Sequence, residues 1–376
     1  MTNRFNILLT NASDIYGGGE FYVCELANEL QKRGHDVRVS CKPDNLLLEK
    51  CRQSNIKTIP LDFPPKGQLL KFVSLLRRMT KENDIQIIHT NTNYDRTAGA
   101  FAARLAGAVH ITNVHSFQSI QHNLTHWLRN KKATDHFLVD GECVKDLLTA
   151  QDSIPAGKIS VVHLGVNPET MKRDERHRSA IRNEFHFTKD HIVIGNVARL
   201  VPFKGQEYLL NALALVAKQH PNIRLLLVGD GVLRQDFKYL VQSLQIEPYV
   251  AFAGFRDDLP AVYSAFDMYV HPSIEGGGET FPFAVLQALA QELPVIVTRV
   301  GDVPAMVDEG GNGYIVAERN PEIIAERINS LVNDPILLKQ MAQRSRERLL
   351  KYFTTRNMVD VVESLYTSLI SGRKLT

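Results

Sequence analysis

The stretch from His271 to Gly301, HPSIEGGGETFPFAVLQALAQELPVIVTRVG, constrains the fold more than any other part of the chain. It follows Met268-Tyr269-Val270, which reads as the end of a short buried strand. A turn with three consecutive glycines comes next, then an apolar helix, then the strand run Pro294–Thr298 and Gly301. A strand, a glycine loop, a helix and a second strand in that order belong to a doubly wound α/β domain. Loop glycines let a backbone approach a ligand closely. The helix behind them offers unpaired N–H groups and the positive end of its dipole, which suits an anion such as phosphate. Glu279 stands in that loop, and Gln287 lies two helical turns on, on roughly the same face.

The N-terminal end repeats the pattern. Phe5–Thr10 reads as a buried strand, Tyr16-Gly17-Gly18-Gly19-Glu20 as a loop, and Phe21 to Arg33 as an amphipathic helix. Gly34 suits its C-cap, and Val37–Ser40 is the next strand. The spacing is not GxGxxG, so a dinucleotide fingerprint is absent. Gly17, Gly18 and Gly19 either face a ligand or make a bare strand-to-helix turn. Ile85–His89, Ile111–His115, Phe137–Asp140 and Ile159–Val162 continue the sheet, with a small-residue helix over Thr97–Ala108. His115 falls at the C-terminal end of its strand, where open parallel sheets bind ligands, although a lone histidine there also serves structure.

Residues 66–83 form a basic amphipathic helix: Leu69, Leu70, Phe72, Val73, Leu76 and Met79 against Lys66, Lys71, Arg77, Arg78 and Lys81. Such a helix lies either on anionic lipid or on the sheet. The polar run from Asn167 to Asp190 reads as an interdomain linker. A second domain opens with the strand His191–Ala198, and Arg199-Leu-Val-Pro-Phe-Lys204-Gly205 follows directly. An arginine and a lysine five apart on such a loop can clamp a diphosphate from two sides. Ile223–Val228 and Val250–Phe255 are further strands. Asp257-Asp258 invites a metal reading, but Asp258 suits the N-cap of a helix over Asp258–Ala265 and no further carboxylate joins it.

A chain of 376 residues suits two domains. With 44% hydrophobic and 23% charged residues it has an ordinary globular balance. No apolar window approaches the ~18 residues of a membrane span, and MTNRFNILLTNAS reads as a first strand, not a signal peptide. Cys24, Cys41, Cys51 and Cys143 show neither metal nor CxxC spacing, which points to a reducing, cytoplasmic compartment. A net charge of only +3 gives no reason to expect nucleic acid.

The Glu279 loop, with HPS ahead of it, small residues in its helix and PVIVT behind it, resembles the donor-site signature of glycosyltransferase family 4. That signature carries two glutamates separated by seven residues; Glu279 matches the first and Gln287 falls on the second. The RL-x-x-x-KG stretch from Arg199 to Gly205 is similar to the family's as well. The resemblance implies a GT-B fold: two doubly wound, Rossmann-like α/β domains facing a central cleft. The expected divisions are 1–168 for the acceptor, 169–353 for the nucleotide-sugar, and a last helix over about Thr355–Leu369, within 354–376, crossing back onto the first domain.

Further roles follow from the resemblance alone. Arg199 and Lys204 would bind the diphosphate, Glu279 sugar hydroxyls, Gln287 the ribose, and His115 the donor sugar. Gly17, Gly18 and Gly19, and the segment Thr280, Phe281 and Phe283, would also face the donor. Gly254, Phe255 and Arg256 would line the base pocket, or simply pack. The expected activity is retaining hexosyl transfer, without cofactor or metal, from a UDP- or GDP-sugar to a glycan or lipid-linked acceptor of the cell envelope, in the cytoplasm or on the inner membrane face. Gln287 departs from the family glutamate, and Pro282 stands where glycine is frequent, removing one N–H from the phosphate cradle. The rival readings are a non-catalytic nucleotide-sugar binding or regulatory protein, and an epimerase or phosphorylase on the same fold. Neither the epimerase's carboxylates nor the phosphorylase's pyridoxal lysine can be placed.

Overall fold

The computed structural model of the chain describes residues 4–14, 16–63 and 67–374. It divides into two compact units, Met1–Gly165 with Thr355–Thr376, and Val166–Thr354.

The first unit holds a seven-stranded sheet: β1 (Asn6–Asn11), β2 (Asp36–Cys41), β3 (Lys57–Pro60), β4 (Ile87–Thr90), β5 (Val109–Val114), β6 (His136–Val139) and β7 (Ile159–Val161), in the order β3-β2-β1-β4-β5-β6-β7. Every pairing is parallel. Parallel strands are covered by helices on both faces, so β4 through β6 are buried throughout rather than alternating. The second unit repeats the plan with six parallel strands: β8 (Ile192–Val197), β9 (Ile223–Val228), β10 (Val250–Gly254), β11 (Met268–His271), β12 (Val295–Thr298) and β13 (Gly313–Val316), in the order β10-β9-β8-β11-β12-β13. Leu209, Leu210, Leu213 and Val216 of the Gln206–Ala217 helix pack on Ile194, Leu225, Leu227 and Val270 of this sheet. Strand order reverses between β1 and β4 in one unit and between β8 and β11 in the other. Doubly wound sheets bind ligands at the strand C-termini beside such a reversal.

Several expectations need correction. The first helix spans Gly18–Lys32, so it begins inside the glycine run. The basic helix spans Leu69–Glu82, and Lys66 lies outside the described residues. Phe72, Val73 and Leu76 pack with Ala98, Ala102 and Ala103 of the Asn93–Ala106 helix, so the apolar face is spent on the core, while Leu70 is 84% exposed. The run Asn167–Asp190 is no linker. It contains the Glu175–Glu184 helix, capped by Asp174, and Arg178 and Arg182 pair with Asp267 at 2.6 and 2.5 Å. The final helix, Thr355–Lys374, outruns the expected Leu369 and is counted with the first unit, where Thr355 bonds Glu25 and Arg33 pairs with Glu363.

Candidate active site

In the second unit, the loops leaving β8 and β11 carry the predicted residues, and these two strands flank the order reversal. Gly205 has φ 64°, and a side chain there would run into the Pro272 carbonyl 2.0 Å away, so glycine is required to dock one loop on the other. Gly277 likewise lies against the Phe203 ring, where a Cβ would come within 1.9 Å. These close fits bring Lys204 onto Glu279 as an ion pair.

Three donors converge on one Glu279 oxygen. Lys204 Nζ, His271 Nε2 at 3.0 Å and Ser273 Oγ at 2.9 Å all reach Oε2. Among the described residues no donor reaches Oε1. Burial by itself would raise the Glu279 carboxyl. The Lys204 ammonium and the His271 hydrogen bond override it and hold the group well below the usual carboxylate range. His271 is driven toward its neutral form, first by burial and then by Lys204, against the opposing pull of Glu279. Arg199 is exposed, lies 5.8 Å over the Phe203 ring, and has no carboxylate partner among the described residues. A fixed ionised acceptor is therefore paired with Lys204, and Arg199 stands five residues before that lysine, over the Phe203 ring.

Gln287 is on the Phe283–Ala290 helix and only 5% exposed, and neither of its amide atoms is among the fully buried polar atoms left without a partner in the described residues. Pro282 is the N-cap of this helix. Thr280, Phe281 and Phe283 have buried side chains, and the Phe281 ring packs 5.5 Å from Phe353. Gly254 ends β10, and Phe255 is 62% exposed. Arg256 is not free for a base: Asp258 grips it at 2.7 and 2.6 Å and Glu184 at 2.5 Å. Asp258 stands at the N-cap of the Leu259–Ser264 helix but makes no side-chain capping bond, because the guanidinium takes its carboxylate.

In the first unit, His115 directly follows β5. Its Nδ1 lies 3.0 and 2.9 Å from the Asp140 oxygens, and the Tyr22 ring meets it edge-on at 5.0 Å. Burial lowers its proton affinity, but Asp140 and then Glu20 outweigh this and raise it. Gly17 and Gly19 have no left-handed backbone, and a Cβ on either would find only ordinary contacts at 3.6 and 3.8 Å. Neither a left-handed backbone nor a tight contact within the described residues requires glycine at these two positions. Sequence reasoning missed His271, Ser273 and Asp140. The HPS tripeptide held the first two, but nothing local pairs Asp140 with His115.

Comparisons with known proteins bear on the family and the fold. A family model described as "Glycosyltransferase Family 4" matches residues 16–170, and one described as "Glycosyl transferases group 1" matches residues 177–348. Together they span most of the chain. The chain is 28% identical over 363 residues to an Escherichia coli UDP-Gal:alpha-D-GlcNAc-diphosphoundecaprenol alpha-1,3-galactosyltransferase, covering 90% of each. It is 26% identical over 245 residues to the capsular polysaccharide biosynthesis glycosyltransferase CapM of Staphylococcus aureus, covering 63% of this chain and 62% of that protein. Its fold is similar to that of Anabaena Alr3699/HepE solved with UDP-glucose, with TM-score 0.85 at 22% identity over 97% of this chain and 100% of the other.

Proposed function

The chain belongs to the glycosyl transferases group 1 and is a glycosyltransferase; from that premise we propose that it moves a hexose, with retention and without metal, from a UDP-sugar to a glycan or lipid-linked acceptor of the cell envelope. The observation that carries the reading is the Glu279 carboxylate, with Oε2 met by three donors and Oε1 by none among the described residues. An ionised, rigidly held acceptor suits sugar hydroxyls. The hard step is departure of the nucleoside diphosphate, which gathers negative charge on its leaving phosphate. Arg199 is the group we assign to meet that charge, and Lys204 would share its ammonium between Glu279 and the phosphate. Preorganised charge of this kind is the largest contribution such a site supplies.

Gln287, on the helix that follows the Glu279 loop, is assigned to the ribose hydroxyls. The exposed Phe255 ring is assigned to the base. Arg256, held by Asp258 and Glu184, is left out of the base pocket. In the first unit the Asp140-held imidazole of His115 is the group we assign to sugar contact. No helix among the described residues is long and apolar enough to cross a membrane. Any attachment to anionic lipid through Lys71, Arg77, Arg78 and Lys81 is therefore electrostatic, since the apolar side of their helix is already packed.

The test is transfer of radiolabelled sugar from a panel of UDP- and GDP-sugars to undecaprenyl-linked acceptors. Transfer from a UDP-sugar with α-anomeric product supports the reading. Equilibrium binding of donor without any transfer would make the chain a binding protein instead.

A further inference from the structure

A buried chain of hydrogen bonds leads from the C-terminal helix to His115. Tyr366 Oη lies 2.6 Å from His89 Nδ1, and His89 Nε2 lies 3.0 Å from Asn113 Oδ1. Asn113 Nδ2 lies 3.3 Å from His115 Nε2, and His115 Nδ1 lies 2.9 Å from Asp140. Tyr366, His89 and Asn113 are 0%, 0% and 2% exposed, so bulk water does not substitute for any of these partners.

The polarity of the chain is set at its two ends. An ionised Asp140 only accepts, so His115 carries a proton on Nδ1. Its Nε2 then holds a lone pair and accepts from the Asn113 amide. That orientation turns Asn113 Oδ1 to His89, which must donate from Nε2 and accept at Nδ1. The Tyr366 hydroxyl is left to donate, and its one described partner takes that proton.

We propose that Tyr366 is a positioning residue for His115, holding its Nε2 as a hydrogen-bond acceptor through His89 and Asn113. The opposite polarity shows why the hydroxyl matters. If His115 gained a proton on Nε2, the Asn113 amide would have to turn over. His89 would then have to carry its proton on Nδ1, and the Tyr366 hydroxyl would have to accept. Its own proton would be stranded in the core. A buried donor without an acceptor is costly, so the hydroxyl opposes protonation of His115 from three residues away.

The groups facing His115 pull in different directions. Asp140 at the end of β6 and Glu20 in the Gly18–Lys32 helix favour its charged form, while Arg96 in the Asn93–Ala106 helix disfavours it. Tyr22 and His89 also border it. Burial outweighs the Asn113 hydrogen bond and pushes His89 down to about 4, so His89 stays neutral at working pH and switches tautomer rather than charge. The consequence for transfer rests on the assignment of His115 to sugar contact; the hydrogen-bond control itself does not.

The experiment is NMR of the full chain labelled at histidine, with His115 and His89 assigned by replacement. In the wild type, His89 should be protonated on Nε2 and His115 on Nδ1. Tyr366→Phe should raise the His115 titration midpoint by about half a pH unit or more. Removing the hydroxyl relieves the opposite polarity of its stranded proton. A His89 protonated on Nδ1 in the wild type overturns the proposal without any variant. So does a folded Tyr366→Phe protein whose His115 titrates as in the wild type. Added UDP-glucose separates the two ideas. If it leaves the His115 resonances unmoved while Tyr366→Phe still shifts the titration, the positioning role stands and the sugar contact is lost.

Discussion

Lys204 and Glu279, 75 positions apart in the chain, meet as an ion pair on a single carboxylate oxygen, where His271 and Ser273 also converge. Read from sequence, the lysine belonged to the diphosphate and the glutamate to the sugar. Their pairing makes the two roles interdependent, because any movement of the ammonium toward phosphate loosens the carboxylate.

Arg199 and Lys204 should therefore separate when mutated. Arg199→Ala removes an exposed charge; transfer should fall by about 100-fold, with the melting curve unchanged within about 0.5 kcal/mol. Lys204→Ala should lower transfer at least as far and also destabilise the second unit by about 3–5 kcal/mol, because Glu279 is left buried and unpaired. Denaturant melts of both variants, beside initial rates, check this. An unperturbed melt for Lys204→Ala would contradict the pairing.

Stability should also depend on pH through Glu279. Its native value is depressed below the usual carboxylate range. The unfolded state thus binds a proton more readily, and its contribution is complete above the ordinary glutamate value of about 4.3. It declines as pH falls from there toward the depressed native value. Melting temperatures recorded downward from about pH 6 should fall less steeply in Glu279→Gln than in the wild type.

Transfer should persist in excess chelator. Among the described residues no group of three His, Cys, Asp or Glu is placed to hold a metal ion, and two cations already stand at the loop. Loss of activity in chelator with recovery on adding magnesium or manganese would require a different account of the leaving group.

Gln287→Ala should weaken donor binding by about 1–2 kcal/mol, since ribose hydroxyls would lose a partner. Gln287→Glu should change it by less than about tenfold. A charged acceptor strengthens the ribose bonds but repels the diphosphate by a similar amount at an effective dielectric near 20. Isothermal titration with a UDP-sugar compares the three proteins. Equal affinity for alanine and glutamine would reassign Gln287 to packing.

Much of this protein is determined within short windows of its sequence. The glycine loops, the apolar strand runs and the helices between them place two doubly wound domains, and Arg199, Lys204 and Glu279 can be picked from their loops. Those features are local, governed by backbone freedom and by the period of apolar residues. The tertiary structure alone decided which polar groups satisfy one another. Asp258 holds Arg256 instead of capping its helix, Phe281 turns to Phe353, Asp140 takes His115, and Tyr366 reaches His89 across 277 positions. A buried donor or acceptor must find a partner wherever strand order delivers one, and strand order is set by packing of the whole sheet rather than by any residue's neighbours in the chain.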